Sequence, residues 1–198
     1  MISREELDEL NLIEPDFDER LELLGLDRAV LQNIRLLLTD VDGVLTDGCI
    51  HFDGSGGEFK TFHVHDGAGL VYWHRMGGIS GFLSGRGSAV VQERASELGV
   101  QEIHLGHLDK RPIAEEILDR LKLDSSQLAY VGDDLADLPV MDLAGFSVSV
   151  PNGRIDVRQR ADYVTTVNGG QGAVREVVEL LLEAQDKWQD VVSRSGLP

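Results

Sequence analysis

Asp40 and Asp42 stand two residues apart, where a short apolar run from Ile34 to Thr39 ends. Two carboxylates so spaced at a strand end can face one cavity. A third, Asp133, follows another apolar run, Leu128 to Val131, with Asp134 and Asp137 close behind. Carboxylates from two strands make an oxygen-rich site that suits Mg²⁺, which takes one or two of them plus water and substrate phosphate. An aspartate can also attack phosphorus and carry the phosphoryl group as an aspartyl-phosphate. Its charge must then be offset and the phosphoryl oxygens held. The metal, Lys110, the Ser84 hydroxyl and backbone amides supply both. Asp42 is placed to protonate a leaving alkoxide and later to activate water. Together these parts suffice to hydrolyse a phosphomonoester.

The elements that must position them are legible from hydrophobic pattern. Ile79 to Leu83 reads as a strand ending at Ser84, Ile103 to Leu105 as a short strand before Lys110, and Phe146–Val150 and Ala161–Val164 as later strands. Helical patterns lie between them, at 67–76, 88–98, about 111–122 and 173–190. Alternating strands and helices imply an α/β fold with a parallel sheet and helices on both faces. Ligands in such sheets bind outside the carboxyl ends of the strands, where Asp40, Ser84 and Asp133 stand. The segment 47–62, with Asp53-Gly54-Ser55-Gly56-Gly57 at its centre, reads as a β-hairpin after the first strand. Residues 1–33 form an acidic helical extension, 34–190 the main domain and 191–198 a tail.

Composition sets the outer limits. The 198 residues fit one compact domain with a sizeable core. Eighteen Lys+Arg against 35 Asp+Glu give a formal charge of −17, which opposes binding to nucleic acid or an anionic membrane. Apolar runs are too short to span a bilayer. The acidic start of the chain is neither a signal nor a transit sequence. The single cysteine, Cys49, excludes an internal disulfide and a zinc cluster. A cytoplasmic protein is expected.

The run Asp40-Val41-Asp42-Gly43-Val44-Leu45-Thr46, followed by Ser84-Gly85-Arg86, Lys110 and Gly132-Asp133-Asp134, resembles the haloacid dehalogenase superfamily of aspartate-nucleophile phosphatases. The resemblance narrows through Phe62–Gly69, Ala129–Met141 and Ala161–Glu176. These segments are similar to the cap-less 3-deoxy-D-manno-octulosonate 8-phosphate phosphatases. The likeness spans about residues 34–185. It implies a Rossmann-like fold without a cap domain, with Asp40 as nucleophile and metal ligand. It implies Asp42 as acid/base, its carbonyl on the metal, Asp133 as third ligand, and Asp134 and Asp137 in support. Ser84 and Lys110 would hold phosphate. Gly85, Arg86, Arg94, His63, His65, Asp66 and Gly67 would lie near the sugar acid. Members form tetramers whose hairpins reach a neighbouring active site, which implies that role for 47–62. Their glycine-rich tail, here Gly169–Gly172, closes over a neighbouring site.

The chain departs from that pattern at His63 and His65, where Asn and Arg are usual, at Val71, where a basic residue is common, and at Gln171, where Arg is typical. Together the departures remove cationic groups that would partner the substrate carboxylate. Phosphatases of nine-carbon sugar acids, such as 2-keto-3-deoxynononate 9-phosphate, are therefore an alternative within the family. A non-catalytic phosphosugar-binding or oligomerisation module is an alternative of another class. It is disfavoured by the joint presence of Asp40, Asp42, Lys110 and Asp133. A receiver-type aspartyl-phosphate domain would carry its acceptor at a later strand. Other residues have plainer readings: Arg94 suits an i,i+3 pair with Glu97 equally well, His63 and His65 read as polar residues of an extended segment, and Tyr72 and Trp73 as packing.

Overall fold

The structure, a computed structural model, describes residues 16–195. The part of the acidic extension over residues 1–15 lies outside them. Period-two alternation decides the architecture. Leu37, Ala129, Val131 and Val148 turn into one apolar cluster, while Leu36, Leu38, Leu128 and Tyr130 turn into another. Strands buried on both faces need helices on both sides.

The strands are β1 (Leu36–Thr39), β2 (His51–Phe52), β3 (Glu58–Phe59), β4 (Ile79–Ser84), β5 (Glu102–Leu105), β6 (Leu128–Gly132), β7 (Phe146–Ser149) and β8 (Tyr163–Val164). Six of them form a parallel sheet in the order β5-β4-β1-β6-β7-β8, and β2 and β3 pair separately as an antiparallel hairpin. The helices are α1 (Phe17–Leu24), α2 (Arg28–Asn33), α3 (Val64–Arg75), α4 (Ala89–Leu98), α5 (Arg111–Leu121), α6 (Leu138–Met141), α7 (Ile155–Arg158), α8 (Ala173–Ala184) and α9 (Trp188–Ser195). One face of the sheet is covered by α1 to α4 and α8, through Leu21, Leu31, Leu70, Trp73, Val91 and Val177 among others. The other is covered by α5, α6 and α7, through Ile117, Val140 and Val157. The register sets Thr39 beside Phe82 and Val131. The chain therefore leaves β1, β4 and β6 at one edge, carrying Asp40, Ser84 and Asp133.

Four expectations are corrected. The helical extension before Ile34 packs into the main domain: Leu21 and Leu31 are core residues, and Gln32 donates to the Ala184 carbonyl at 2.9 Å. The helix expected over 67–76 starts at Val64, so His63 is its N-cap residue and His65 lies within its first turn. His65 is therefore helical, whereas His63 keeps an extended backbone just before the helix. The helix expected over 173–190 is two helices, broken where Asp186 takes a left-handed φ of 57°. The second one, α9, occupies residues expected as a tail.

Candidate active site

The loop after β1 is braced from inside. The Thr46 hydroxyl accepts the N–H groups of Gly43 (3.3 Å) and Gly48 (3.2 Å). Gly43 has φ +105°, and a Cβ there would fall 2.1 Å from Asp133 Oδ2. Glycine is thus required twice, for conformation and for close approach. Asp40, Asp42, Ser84, Arg86, Lys110 and Asp133, with Gly85, Asp134 and Asp137, line one cavity of about 210 Å³.

Lys110 is buried at 3% exposure. Its Nζ lies 2.8 Å from Asp40 Oδ1 and 2.6 Å from Asp137 Oδ1. Burial pulls its pKa down, but the two carboxylates outweigh that and the net shift is upward. Asp137 is the hub. Oδ1 accepts from Lys110 and from Tyr130 Oη (2.6 Å), and Oδ2 from the N–H groups of Asp133 (2.9 Å) and Asp134 (3.1 Å). Gly132 allows that approach, since a Cβ there would meet Asp137 Cβ at 2.4 Å. Both oxygens of Asp137 are occupied by donors, so it buttresses the site. Asp134 is exposed and accepts from the N–H of Leu135 (2.8 Å).

Asp40, bonded to Lys110, and Asp133 are less fully satisfied. Burial, then the charge of Asp137, pushes Asp40 above the carboxylate range despite Lys110. Burial, then the charges of Asp40 and Asp137, raises Asp133. Asp133 Oδ1 is buried and has no hydrogen-bond partner. Carboxyl oxygens of Asp40, Asp133 and Asp137 lie within 4.8 Å of one another. An orphaned buried oxygen among repelling carboxylates is a donor set that fits a hard divalent cation. Phosphorus could be attacked from Asp40 beside it, with Ser84 and Lys110 on the phosphoryl oxygens.

The other predicted substrate contacts are not gathered there. Asp66 is buried, and its carboxylate accepts the N–H groups of Gly172 (3.3 Å) and Arg175 (2.9 Å). It caps α8 from another helix, a role that local pattern does not reveal. Asp66→Ala is therefore expected to lower the unfolding free energy by about 1–2 kcal/mol, the scale of a lost cap, in urea denaturation. A kinetic defect at unchanged stability would return Asp66 to the substrate. Gly67 packs under the Arg94 guanidinium, 2.5 Å from where its Cβ would be. Arg94 pairs with Glu97 at 2.8 Å, the helix-surface arrangement. His63 and His65 meet edge to face at 4.9 Å, and neither lines the cavity. The tail glycines close on their own chain: a Cβ on Gly169 would lie 1.8 Å from the Gly43 carbonyl oxygen, and the Gly170 N–H donates to the Val44 carbonyl at 2.9 Å.

Three site residues escaped the sequence reading. Asn152 accepts from the Gly169 N–H (2.7 Å) and donates to the Gly43 carbonyl (2.8 Å), tying the tail to the β1 loop. Glu58 and Lys60, at the base of the hairpin, reach Arg86 and Asp42 of the same chain. Their alternation, Glu58-Phe59-Lys60, was the available signal.

Comparison with known proteins bears on this geometry. The sequence profile of haloacid dehalogenase-like hydrolases matches residues 89–177. The 3-deoxy-D-manno-octulosonate 8-phosphate phosphatase of Escherichia coli K12 is 41% identical over 167 residues, covering 84% of this chain and 89% of that one. The chain belongs to this family of haloacid dehalogenase-like phosphatases. The phosphatase also superposes on the crystal structure of the Moraxella catarrhalis enzyme of that name, in complex with magnesium, phosphate and KDO. The TM-score is 0.83 at 42% identity, over 85% of this chain and 97% of that one. For the cobalt-bound Haemophilus influenzae enzyme the values are 0.77 and 39%, over 80% and 92%. The cap-less α/β fold of the phosphatase is therefore the family's. Among its described residues no helix is long and apolar enough to cross a membrane.

Proposed function

We propose that the chain hydrolyses 3-deoxy-D-manno-octulosonate 8-phosphate to the free sugar acid and inorganic phosphate. The observation that carries the reading is the convergence of Asp40, Asp42, Ser84, Lys110 and Asp133 on one cavity, in a chain this similar to enzymes of that activity.

Asp40 attacks phosphorus; its bond to phosphorus forms as the ester P–O bond breaks. Asp42 gives its proton to the departing alkoxide. It then takes a proton from the water that attacks the aspartyl-phosphate, which releases phosphate and restores Asp40. Ser84 and Lys110 hold the phosphoryl oxygens, and Lys110 also offsets the charge of Asp40. Arg86, which also lines the cavity, would meet the sugar acid. Asp40, Asp133 and the Asp42 carbonyl would hold magnesium, which would supply positive charge against this cluster and the phosphate. A hard cation also suits the unpartnered Asp133 Oδ1.

Two wider features belong to the same reading. Ile50, Phe52, Phe59 and Val64, on and beside the hairpin, are exposed apolar residues. They support a homotetramer in which segment 47–62 reaches a neighbour. A cytoplasmic setting is supported by the single, unpaired Cys49.

Phosphate release with Mg²⁺ from the eight-carbon 8-phosphate and the nine-carbon 2-keto-3-deoxynononate 9-phosphate, measured side by side, tests the assignment. The eight-carbon acid is expected to lead by at least about 100-fold in kcat/KM, or about 2.7 kcal/mol of transition-state discrimination. Chelation with EDTA is expected to stop turnover. A nine-carbon preference would make His63, His65, Val71 and Gln171 specificity determinants, and no release from either substrate would overturn the reading.

A further inference from the structure

Lys60 follows a two-residue strand of the hairpin, yet its side chain is wholly buried. Its Nζ meets Asp42 through Oδ1 and Glu58 at 3.3 Å. Glu58 in turn accepts from Ser88 Oγ (2.7 Å) and Arg86 (3.1 Å). Arg86 Nε lies 3.7 Å from the other Asp42 oxygen, Oδ2. Side chains from the hairpin and from the loop after β4 thus close around one carboxylate on the loop after β1.

Anchoring the hairpin does not by itself call for this arrangement. An ammonium stripped of water recovers its cost only from well-placed partners, and an apolar side chain of similar volume would often hold the hairpin as well or better. What an apolar side chain could not do is grip one oxygen of Asp42. That grip removes the rotational freedom of a side chain which stands on a loop, and it leaves Oδ2, which Arg86 approaches only to 3.7 Å, as the oxygen able to exchange a proton. We propose that Lys60 is a positioning residue for Asp42: it holds Oδ1 so that Oδ2 faces the ester oxygen of the substrate, and Glu58 orients Lys60. The base of the hairpin thereby completes the site of its own chain. The proposal rests on the reading of Asp42 as the acid/base of a phosphatase.

Lys60→Met keeps the aliphatic stem and removes the ammonium. It is compared with wild type on the sugar-acid phosphate and on p-nitrophenyl phosphate, both with Mg²⁺. The nitrophenolate departs without needing a proton, so a defect acting through the acid should spare it. The expected result is a fall in kcat/KM of about 30–100-fold on the sugar phosphate, most of the smallest contribution acid catalysis makes, and under about threefold on the nitrophenyl ester. In an Asp42→Asn background, Lys60→Met should cost little more, because the two residues act as one unit. Equal losses on both substrates, a multiplicative loss in the Asp42→Asn background, or no loss would overturn the proposal. If Lys60→Met does not melt cooperatively, Glu58→Gln replaces it, with the same substrate split expected at smaller amplitude and the same results overturning it. Wild-type inactivity on both substrates would instead overturn the phosphatase reading itself.

Discussion

Asp40→Asn is expected to lower kcat by about 10⁴-fold or more, the scale on which removal of a nucleophile operates, without loss of the fold. The amide is nearly isosteric but cannot attack phosphorus. Its effect on stability should run opposite to its effect on activity. Asp40 sits beside Asp137 and close to Asp133, and burial with that repulsion raises its pKa from 3.8 to about 6. In that window the folded protein binds more protons than the unfolded chain. Stability attributable to Asp40 is therefore present below pH 3.8 and lost as pH rises through about 6. At pH 7 without metal the ionised group is a burden on the fold, and the neutral amide removes it. Metal-free thermal denaturation should give a Tm at or above wild type for Asp40→Asn, with a flatter acid limb. Turnover near wild type would reject Asp40 as nucleophile, and a collapsed fold would reject this account of its charge.

Lys110→Met should fail in both respects. Lys110 bonds Asp40 at 2.8 Å and Asp137 at 2.6 Å, and among the cavity-lining residues it is the buried cation. Removing one partner from a buried ionic cluster leaves uncompensated charge, at a cost of about 3–5 kcal/mol. The phosphoryl oxygens lose a preorganised charge as well, worth about 10²–10³ in kcat. Lys110→Arg is not expected to rescue, because the planar fork does not fit the space of a point charge between two carboxylates. Urea denaturation and steady-state kinetics on the same preparation check both effects. A stable but inactive Lys110→Met would show that Asp137 and Tyr130 hold the cluster without the lysine.

What could be foreseen followed from strands with two buried faces. Such strands are mostly apolar until they leave the sheet, so the end of the apolar run marks the exit even though Thr39 and Ser80 lie within the strands, and Asp40, Ser84 and Asp133 were visible for that reason. Their shared edge followed from parallel topology. The misses involve contacts whose partners lie far along the chain. Asp66 looks like a loop acid until α8, more than a hundred residues later, presents its N–H groups to it. Lys60 looks like a solvated hairpin cation until the hairpin folds back over Asp42. The break at Asp186 was hidden because the apolar spacing continues through Trp188 and Val191, although a non-glycine residue there turns left-handed. Leu21 and Leu31 were hidden by the acids around them.

The clasp between α2 and the end of α8 has a consequence for synthesis. Gln32 reaches the Ala184 carbonyl, Arg28 reaches Asp186 at 2.6 Å, and Gln185 donates to the Ile34 carbonyl at 2.9 Å. Each contact spans about 150 residues. A chain emerging from the ribosome amino end first thus carries the face of α2 uncovered until α8, about 150 residues later, has been made. Closure of that core is the late, long-range step of folding, and a chain stalled before α8 would present Leu31 and its neighbours to chaperones.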